Sequence, residues 1–295
     1  MTTIRSLRPV LTAAAAFVTA RAVSSGYVPA PVPVALADSD VALSPKEFRS
    51  LPITAIKDLS PNTKLFKVGL PSKESTTGLK TSSFVMIKNA ASADGKFDAR
   101  PYTPTSLADA KGELELVIKS YPGGKVTQHL FGLKVGDSIE IKGPLPKLKY
   151  EANMKKSIGL IAGGTGITPC LQIIQEVINN PKDETKLVLV FANNGEEDIL
   201  LKDRLDGLAK QYKQLSIIYV VATPGAGWEG EKGFVTKQLL KRVLPAASDD
   251  VLICVCGPPG MMNAVSGPKA KDYTQGELSG ILKTLGFSEA NVFKF

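Results

Sequence analysis

The stretch Ile161–Pro169, I-A-G-G-T-G-I-T-P, lies between an apolar run that begins at Ser157 and a helical pattern over Cys170–Asn179. A strand, a glycine turn and a helix in this order are typical of a nucleotide-binding site. Glycines allow the backbone to approach a phosphate closely, and a helix N-terminus offers free N–H groups and a partial positive charge. Alone the motif is weak, because it lacks the G-x-G-x-x-G fingerprint and many such turns only make a close packing contact.

The sequence around and after this turn alternates between apolar runs and helical patterns. The predicted strands cover Ser157–Ala162, Lys186–Ala192, Leu215–Ala222, Asp250–Gly257 and Asn291–Phe295. The predicted helices cover Cys170–Asn179, Leu200–Tyr212, Thr236–Val243 and Glu277–Gly286. Continuous apolar strands that alternate with helices indicate βαβ units and a parallel sheet. We therefore predict a Rossmann-like α/β domain over residues 151–295.

The preceding part of the chain has a different pattern, in which polar and apolar residues alternate. The predicted strands cover Leu51–Asp58, Thr63–Leu70, Ser83–Lys88, Glu113–Ser120 and Ser138–Lys142, with proline and glycine between them. One short helix is predicted over His129–Leu133. Short strands at this spacing, without a long helix, favour a small antiparallel β-barrel, which we predict over residues 45–150.

Residues 1–44 have the composition of a targeting leader and linker. They contain three arginines, and no carboxylate occurs before Asp38. Arginine-bearing, acid-poor segments are typical of mitochondrial presequences. The apolar stretch Pro9–Ala20 is too short to span a bilayer as a simple helix. A secretory signal is the alternative, and Arg21 directly after the apolar stretch counts against it.

The composition limits the kinds of site that the chain can form. The net charge is +8, and removal of residues 1–44 leaves +7, which favours an anionic partner. Nucleic acid is disfavoured, because the sequence has no zinc-finger spacing, no RNP-like motif and no long basic arm. With His129 as the single histidine and three cysteines, we predict no metal site and no disulfide framework. A bound cofactor would then carry any redox chemistry.

Three further motifs have the character of ligand sites. Arg100–Ser106, R-P-Y-T-P-T-S, is an extended segment in which Arg100 and Tyr102 project to one side, and this pair suits a phosphate beside a flat ring. Tyr121–Gln128 offers Gly-Gly-Lys before a short helix, and Cys256–Met262, C-G-P-P-G-M-M, follows a strand at its carboxyl end. Each also has a plain interpretation, respectively an exposed strand, a β-turn and a strand cysteine without a role.

The four motifs, in this order, resemble those of the NADH–cytochrome b5 reductase family within the ferredoxin–NADP reductase superfamily. The resemblance runs from about Phe48 to Phe295 and is greatest to the fungal mitochondrial form. It implies an FAD-binding antiparallel barrel followed by an NAD-binding α/β domain. It also implies transfer of hydride from NADH to bound FAD, and then of single electrons to the haem of cytochrome b5. The implied location is the mitochondrial outer membrane or the intermembrane space.

The resemblance also implies roles for individual residues. Arg100 would bind the FAD phosphates, Tyr102 would cover the isoalloxazine, Thr103 would lie near flavin N5 and Cys256 would lie beside the nicotinamide, so that Tyr102, Thr103 and Cys256 are the predicted catalytic residues. Lys119 would also contribute to NADH use. The remaining predicted cofactor-binding residues are Pro101, Val117, Tyr121, Gly124, Lys125, Val126, Thr127, Gly163, Gly164, Thr165, Gly166, Thr168, Gly257 and Pro258.

One position departs from the family pattern. Ala222 stands where many members have an aspartate that reads the adenosine ribose, so the choice between NADH and NADPH is open. Thr223, in place of an arginine cluster, argues against a 2′-phosphate site. Glu229 and Glu231 are candidate replacements for the missing carboxylate.

The acceptor and the assembly are predicted from charge and context. Cytochrome b5 proteins are typically acidic, and the lysine cluster within Lys147–Lys156 would steer such a partner, unless it is only a solvated linker. We predict a monomer that associates with a membrane, if at all, through the leader. The alternatives are an NAD(P)H-dependent flavin reductase that serves a quinone or a ferric chelate, and a nucleotide-binding protein without turnover.

Overall fold

The computed structural model describes residues 41–92 and 94–295. The predictions of a targeting leader and of membrane association through it concern residues 1–44, nearly all of which lie outside these ranges. No helix within the described ranges combines the length and apolarity needed to cross a membrane.

Six antiparallel strands form the first sheet. They are β1 (Arg49–Ser60), β2 (Thr63–Gly69), β3 (Ser83–Lys88), β4 (Ala99–Tyr102), β5 (Glu113–Lys119) and β6 (Ser138–Pro146), in the order β4-β3-β6-β1-β2-β5. Alternate residues such as Ile53, Phe66 and Ile87 are buried on one face, as the sequence pattern predicts. The chain after β4 returns to β5, where the Thr105 N–H donates to the Glu115 carbonyl at 2.9 Å. This contact brings the two edges of the sheet together.

Six parallel strands form the second sheet. They are β7 (Ser157–Gly163), β8 (Lys186–Asn193), β9 (Leu215–Val221), β10 (Glu231–Lys232), β11 (Val251–Cys256) and β12 (Val292–Lys294), in the order β10-β9-β8-β7-β11-β12. The helices of this domain are α2 (Ile167–Asn179), α3 (Lys202–Gln211), α4 (Lys237–Val243), α5 (Pro259–Val265) and α6 (Gly280–Thr284). One apolar core lies under α2 and α3, and a second lies under α4, α5 and α6. The predicted fold class is therefore confirmed.

Several boundaries differ from the predictions for local reasons. The barrel helix α1 spans Lys125–Gly132 and begins four residues before His129, directly after the Gly-Gly turn. The helix predicted from Glu277 starts only at Gly280, because the backbone at Ser279 is extended, with φ of −144° and ψ of −165°. The packed chain also begins before residue 45, since Ala42 and Leu43 lie in the barrel core.

Side chains of α2 and α3 connect the two sheets. The Gln172 amide donates to the Pro104 carbonyl at 3.0 Å and accepts from the Ser83 N–H at 3.1 Å. Arg204 forms an ion pair with Glu115 at 2.8 Å and donates to the Thr105 carbonyl. These contacts hold the segment after β4 against the α/β domain, so the predicted flavin segment is fixed relative to the parallel sheet.

Candidate active site

A cleft of about 2320 Å³ lies between the barrel and the carboxyl edge of the parallel sheet. The structure brings every predicted site residue to its walls. These residues are Arg100, Pro101, Tyr102, Thr103, Val117, Lys119, Tyr121, Gly124, Lys125, Val126, Thr127, Gly163, Gly164, Thr165, Gly166, Thr168, Cys256, Gly257 and Pro258. Sequence positions as far apart as 100 and 258 therefore share one cavity, while the role of each residue stays a prediction.

The N-terminus of α1 forms the cationic corner of the cleft. In the described part of the chain no side chain caps this helix and its first turn carries no carboxylate, so the first N–H groups are available to a ligand. The Lys125 and Arg100 side chains both approach Asp98, at 3.1 and 3.9 Å. Both cations are well exposed, with 75% and 60% of their side-chain surface accessible, so these pairs are weak. Two cations and free N–H groups fit the diphosphate of a dinucleotide such as FAD.

Aromatic side chains lie beside this corner. Burial raises the pKa of Tyr102 to about 12, against the opposing effect of the Arg100 charge. The phenol is therefore neutral at physiological pH and presents an uncharged ring. Tyr121 is half exposed and Val117 is buried, and both line the same wall. These surfaces fit a flat ring system next to the diphosphate corner.

Two glycines of the turn between β7 and α2, Gly164 and Gly166, have different surroundings. A Cβ atom at Gly166 would lie 2.1 Å from the Cys256 carbonyl oxygen, so this glycine allows two loops to pack closely. Gly164 has φ of +52° and open space around it, so it is the glycine of this pair that can face a ligand. Close packing therefore applies at Gly166, while ligand binding at Gly164 stays a prediction. The Thr168 hydroxyl donates to the Thr165 carbonyl at 3.1 Å and stabilises the turn.

Cys256 lies at the end of β11, on the same side of the strand as Cys254. Cys254 is buried in the apolar core, whereas Cys256 lines the cleft. Burial raises the pKa of the Cys256 thiol to about 12, although the nearby Lys269 charge opposes the shift. The thiol is therefore protonated at neutral pH. It can form a small wall against a ring, and it is not a thiolate nucleophile.

Two polar residues of the cleft were missed in the sequence. Asp198 pairs with Lys119 at 3.5 Å across the two domains, and both side chains are mostly buried, with 22% and 19% of their surface accessible. Asn193 lies at the carboxyl end of β8, and neither atom of its amide has a hydrogen-bond partner within residues 41–92 and 94–295. Such an unpaired amide fits a site that a polar ligand completes. The position of Asn193 at the end of a predicted parallel strand was the available signal.

Ala222 lines the cleft at the end of β9. Its N–H donates to the Asn193 carbonyl at 3.0 Å. Neither suggested replacement carboxylate supports the ribose role, because Glu229 and Glu231 lie outside the cleft lining and Glu231 pairs with Arg242 at 2.5 Å. The described residues contribute two acidic side chains to the cleft, Asp98 and Asp198, and a lysine or arginine lies close to each.

Comparison with known proteins identifies both halves of this cleft. Residues 50–150 match the oxidoreductase FAD-binding domain family, and residues 160–267 match the oxidoreductase NAD-binding domain family. The cytochrome b5 reductase domain of Ulva prolifera nitrate reductase superposes with a TM-score of 0.76 at 30% identity, covering 86% of this chain and all of that domain. The fold is therefore that of the ferredoxin reductases.

Similarity also extends over most of the chain in two full-length relatives. NADH-cytochrome b5 reductase 2 of Emericella nidulans is 48% identical over 248 residues, which cover 83% of this chain and 77% of that protein. The NADH-cytochrome b5 reductase-like protein of Arabidopsis thaliana is 46% identical over 259 residues, which cover 86% of this chain and 78% of that protein. The chain belongs to the NADH–cytochrome b5 reductase family.

Proposed function

We propose that this protein is an FAD-dependent oxidoreductase that oxidises NADH and reduces the haem of a cytochrome b5. The observation that carries the proposal is the single cleft shared by the FAD-binding and NAD-binding domains. When bound, FAD takes two electrons from NADH and passes them one at a time to a haem acceptor. Relatives named for this activity cover most of the chain, which supports the same assignment here.

The barrel side of the cleft would hold the FAD. Arg100, Lys125 and the first N–H groups of α1 would bind the diphosphate, which would replace Asp98 as the partner of the two cations. Tyr102 packs against the ring system, with Thr103 directly after it in the chain. Val117 and Tyr121 complete the wall and keep water from the ring.

The α/β side would orient NADH against the flavin. Gly164 and the turn before α2 face its diphosphate, and Cys256 and Pro258 form the wall beside the nicotinamide. Lys119 extends across the cleft toward Asp198, which places its ammonium between the two domains. The Gln172 and Arg204 contacts fix the distance between domains, and rings that exchange electrons must be held at such a fixed separation.

The acceptor, assembly and location follow from charge and composition. The +7 charge that remains without residues 1–44 favours an acidic haem protein. Exposed large apolar side chains such as Phe97, Val135 and Phe234 lie on separate loops, which supports a monomer. The arginine-bearing residues 1–44 support a mitochondrial location, at the outer membrane or in the intermembrane space, with the same segment as the membrane contact. Import of the full chain into isolated mitochondria, compared with the chain lacking residues 1–44, tests the location.

The activity is tested by anaerobic stopped-flow reduction of the bound flavin, with NADH and NADPH side by side. We expect rapid loss of flavin absorbance with NADH, a slower reaction with NADPH, and then reduction of added cytochrome b5. If neither nucleotide reduces the flavin, the reductase assignment is wrong. If NADH reduces the flavin but only a quinone or a ferric chelate reoxidises it, the acceptor assignment is wrong.

A further inference from the structure

The lysines of the predicted boundary cluster do not form one free surface. Lys149 pairs with Glu151 at 2.5 Å and Lys156 pairs with Asp250 at 2.6 Å. The Lys155 ammonium donates to a backbone carbonyl, that of Asp249. Lys147 differs from these three, because it lines the cleft and its ammonium lies 5.6 Å from the centre of the Phe84 ring. The Lys149 and Lys156 side chains are well exposed and their pairs are weak, so the position of Lys147 in the cleft is what distinguishes it from the other members.

Lys147 meets other cations at the mouth of the cleft. Lys269 lies against it, and Lys271 and the highly exposed Tyr273 line the same mouth. Within the described residues, none of these three lysines has a carboxylate within 4 Å, and the Lys269 ammonium donates to the Lys294 carbonyl at 3.1 Å. Burial, together with the charge of Lys147, lowers the pKa of Lys269 to about 8. Two ammonium groups in contact repel each other, and an anion placed between them would relieve that repulsion.

A buried lysine anchors the loop that carries this surface. The Lys294 side chain is almost completely buried, and its ammonium donates to the carbonyls of Pro268 at 3.0 Å and Glu277 at 2.9 Å. The Gln275 side chain exchanges two hydrogen bonds with the Lys294 backbone, at 2.6 and 3.0 Å. Because the loop is held at both ends, its exposed cations are positioned before any partner arrives, and binding requires less ordering.

The position of the surface favours a protein partner over a nucleotide. Lys269 is close enough to Cys256 to affect its pKa, so the surface lies beside the proposed reaction centre. The two dinucleotides already have their own diphosphate sites, at α1 and at the turn before α2. Lys147 belongs to the barrel and Lys269 to the α/β domain, so together they span the open side of the cleft. An electron acceptor must approach the flavin from such an open side.

Resting on the proposed function, we propose that Lys147, Lys269, Lys271 and Tyr273 form the docking surface for an acidic haem acceptor protein. The lysines bind its carboxylates, and the Tyr273 ring supplies an apolar contact. Tyr273 suits this use because it is 79% exposed on a left-handed backbone with φ of 65°, a conformation that the anchored loop maintains.

The test compares two triple variants of equal charge. The first is Lys147→Gln, Lys269→Gln and Lys271→Gln, and the matched control is Lys149→Gln, Lys155→Gln and Lys156→Gln. Steady-state reduction of a soluble, acidic cytochrome b5 is measured at several salt concentrations. We expect the first variant to raise KM for cytochrome b5 about tenfold and to flatten its salt dependence, because three surface charge pairs are lost. The control variant should change KM less than twofold, because its three lysines lie outside the cleft lining.

Two measurements separate docking from the underlying activity. Flavin reduction by NADH, followed by anaerobic stopped-flow, should be unchanged in both variants. Failure of the wild-type enzyme to reduce cytochrome b5 would refute the proposed function, whereas equal KM values in the two triple variants would refute the docking surface alone. Slower flavin reduction in the first variant would assign the lysines to the nucleotide and also refute the docking surface. The double variant Lys271→Gln with Tyr273→Ser, which leaves the Lys269 contacts intact, should raise KM about threefold.

Discussion

The two glycine turns of this protein differ in charge although both lead into a helix. The turn at Gly123–Gly124 leads into α1, and the cations Arg100 and Lys125 face its corner of the cleft. The turn at Gly163–Gly166 leads into α2, which contains no lysine or arginine. At the first turn a bound diphosphate would meet two positive side chains as well as N–H groups. At the second turn it would meet N–H groups and hydroxyls.

We expect this difference to separate a resident cofactor from one that exchanges. Charge-assisted contacts are the stronger ones, so the first corner would retain its ligand and the second turn would release a dinucleotide more readily. The second turn also takes part in packing, because Gly166 lies against the backbone of Cys256. We therefore propose that the barrel turn mainly binds the cofactor, whereas the α/β turn also holds two loops together.

The largest expected effect concerns the packing of Gly166 against Cys256. Gly166→Ala would place a methyl group 2.1 Å from the Cys256 carbonyl oxygen, and the obstacle is backbone that cannot rotate away. We expect a loss of about 3 kcal/mol in the free energy of unfolding, measured by denaturant titration. The matched control Gly164→Ala has open space and should lose only about 1 kcal/mol, owing to its positive φ. Equal losses in the two variants would contradict the division of roles between these glycines.

The next effect concerns the cationic corner. Arg100→Ala should weaken FAD binding about thirtyfold, because a charge-assisted contact to the diphosphate is worth about 2 kcal/mol. The ratio of flavin to protein absorbance after purification measures the occupancy. Lys96→Ala removes the same charge from an exposed pair with Asp94 and should retain its flavin. Full FAD occupancy in Arg100→Ala would contradict the proposed stronger binding of a cofactor at the first turn.

A smaller effect is expected on the α/β side of the cleft. Cys256→Ala should slow flavin reduction about tenfold through looser positioning of the nicotinamide, with FAD occupancy unchanged. Because the pKa of the thiol is about 12, the wild-type rate should show no titration of this group between about pH 6 and pH 9. Cys254 lies two residues earlier in the same strand, with its side chain in the apolar core. Cys254→Ala should lower the free energy of unfolding without affecting the rate of flavin reduction. An unchanged rate of flavin reduction in Cys256→Ala would show that this cysteine contributes only to packing.

The smallest effect concerns the end of β9. Ala222→Asp should lower KM for NADH about fivefold, because a carboxylate there can accept hydrogen bonds from ribose hydroxyls at a gain of about 1 kcal/mol. KM for NADPH should rise in the same variant. Thr223→Asp, which lies one residue beyond the cleft lining, serves as the control and should change neither value. Equal KM values in the two variants would show that the adenosine end of the nucleotide does not lie at Ala222.

Sequence patterns were sufficient for most of the fold because each strand has a strong local signal. The alternation in Glu113–Lys119 and the apolar run in Val251–Cys256 both became strands close to the predicted bounds. Helix α5 was missed because Pro258 and Pro259 indicated only a turn, although proline is well tolerated in the first helical turn. Strand β10 has two residues, which is too short for any periodicity to be detected.

The cleft was predictable as a set of motifs but not as a set of contacts. The order of the four motifs located the predicted residues. The pairs Lys119–Asp198 and Arg204–Glu115 join positions almost 80 residues apart or more, and no local pattern encodes such contacts. The lysine cluster illustrates the same limit, since the sequence cannot tell that Lys149 and Lys156 have partners while Lys147 meets Lys269.

The position of Lys294, after both the barrel and the loop that it anchors, has a consequence for the order of folding. The loop that presents Lys269 and Tyr273 is held by this residue, which lies in the edge strand β12 beside β11. The barrel precedes these elements in the chain and can fold while translation continues. We therefore expect a nascent chain to form the barrel corner of the cleft first. The loop that carries the proposed docking surface can be fixed only after β12 has been synthesised.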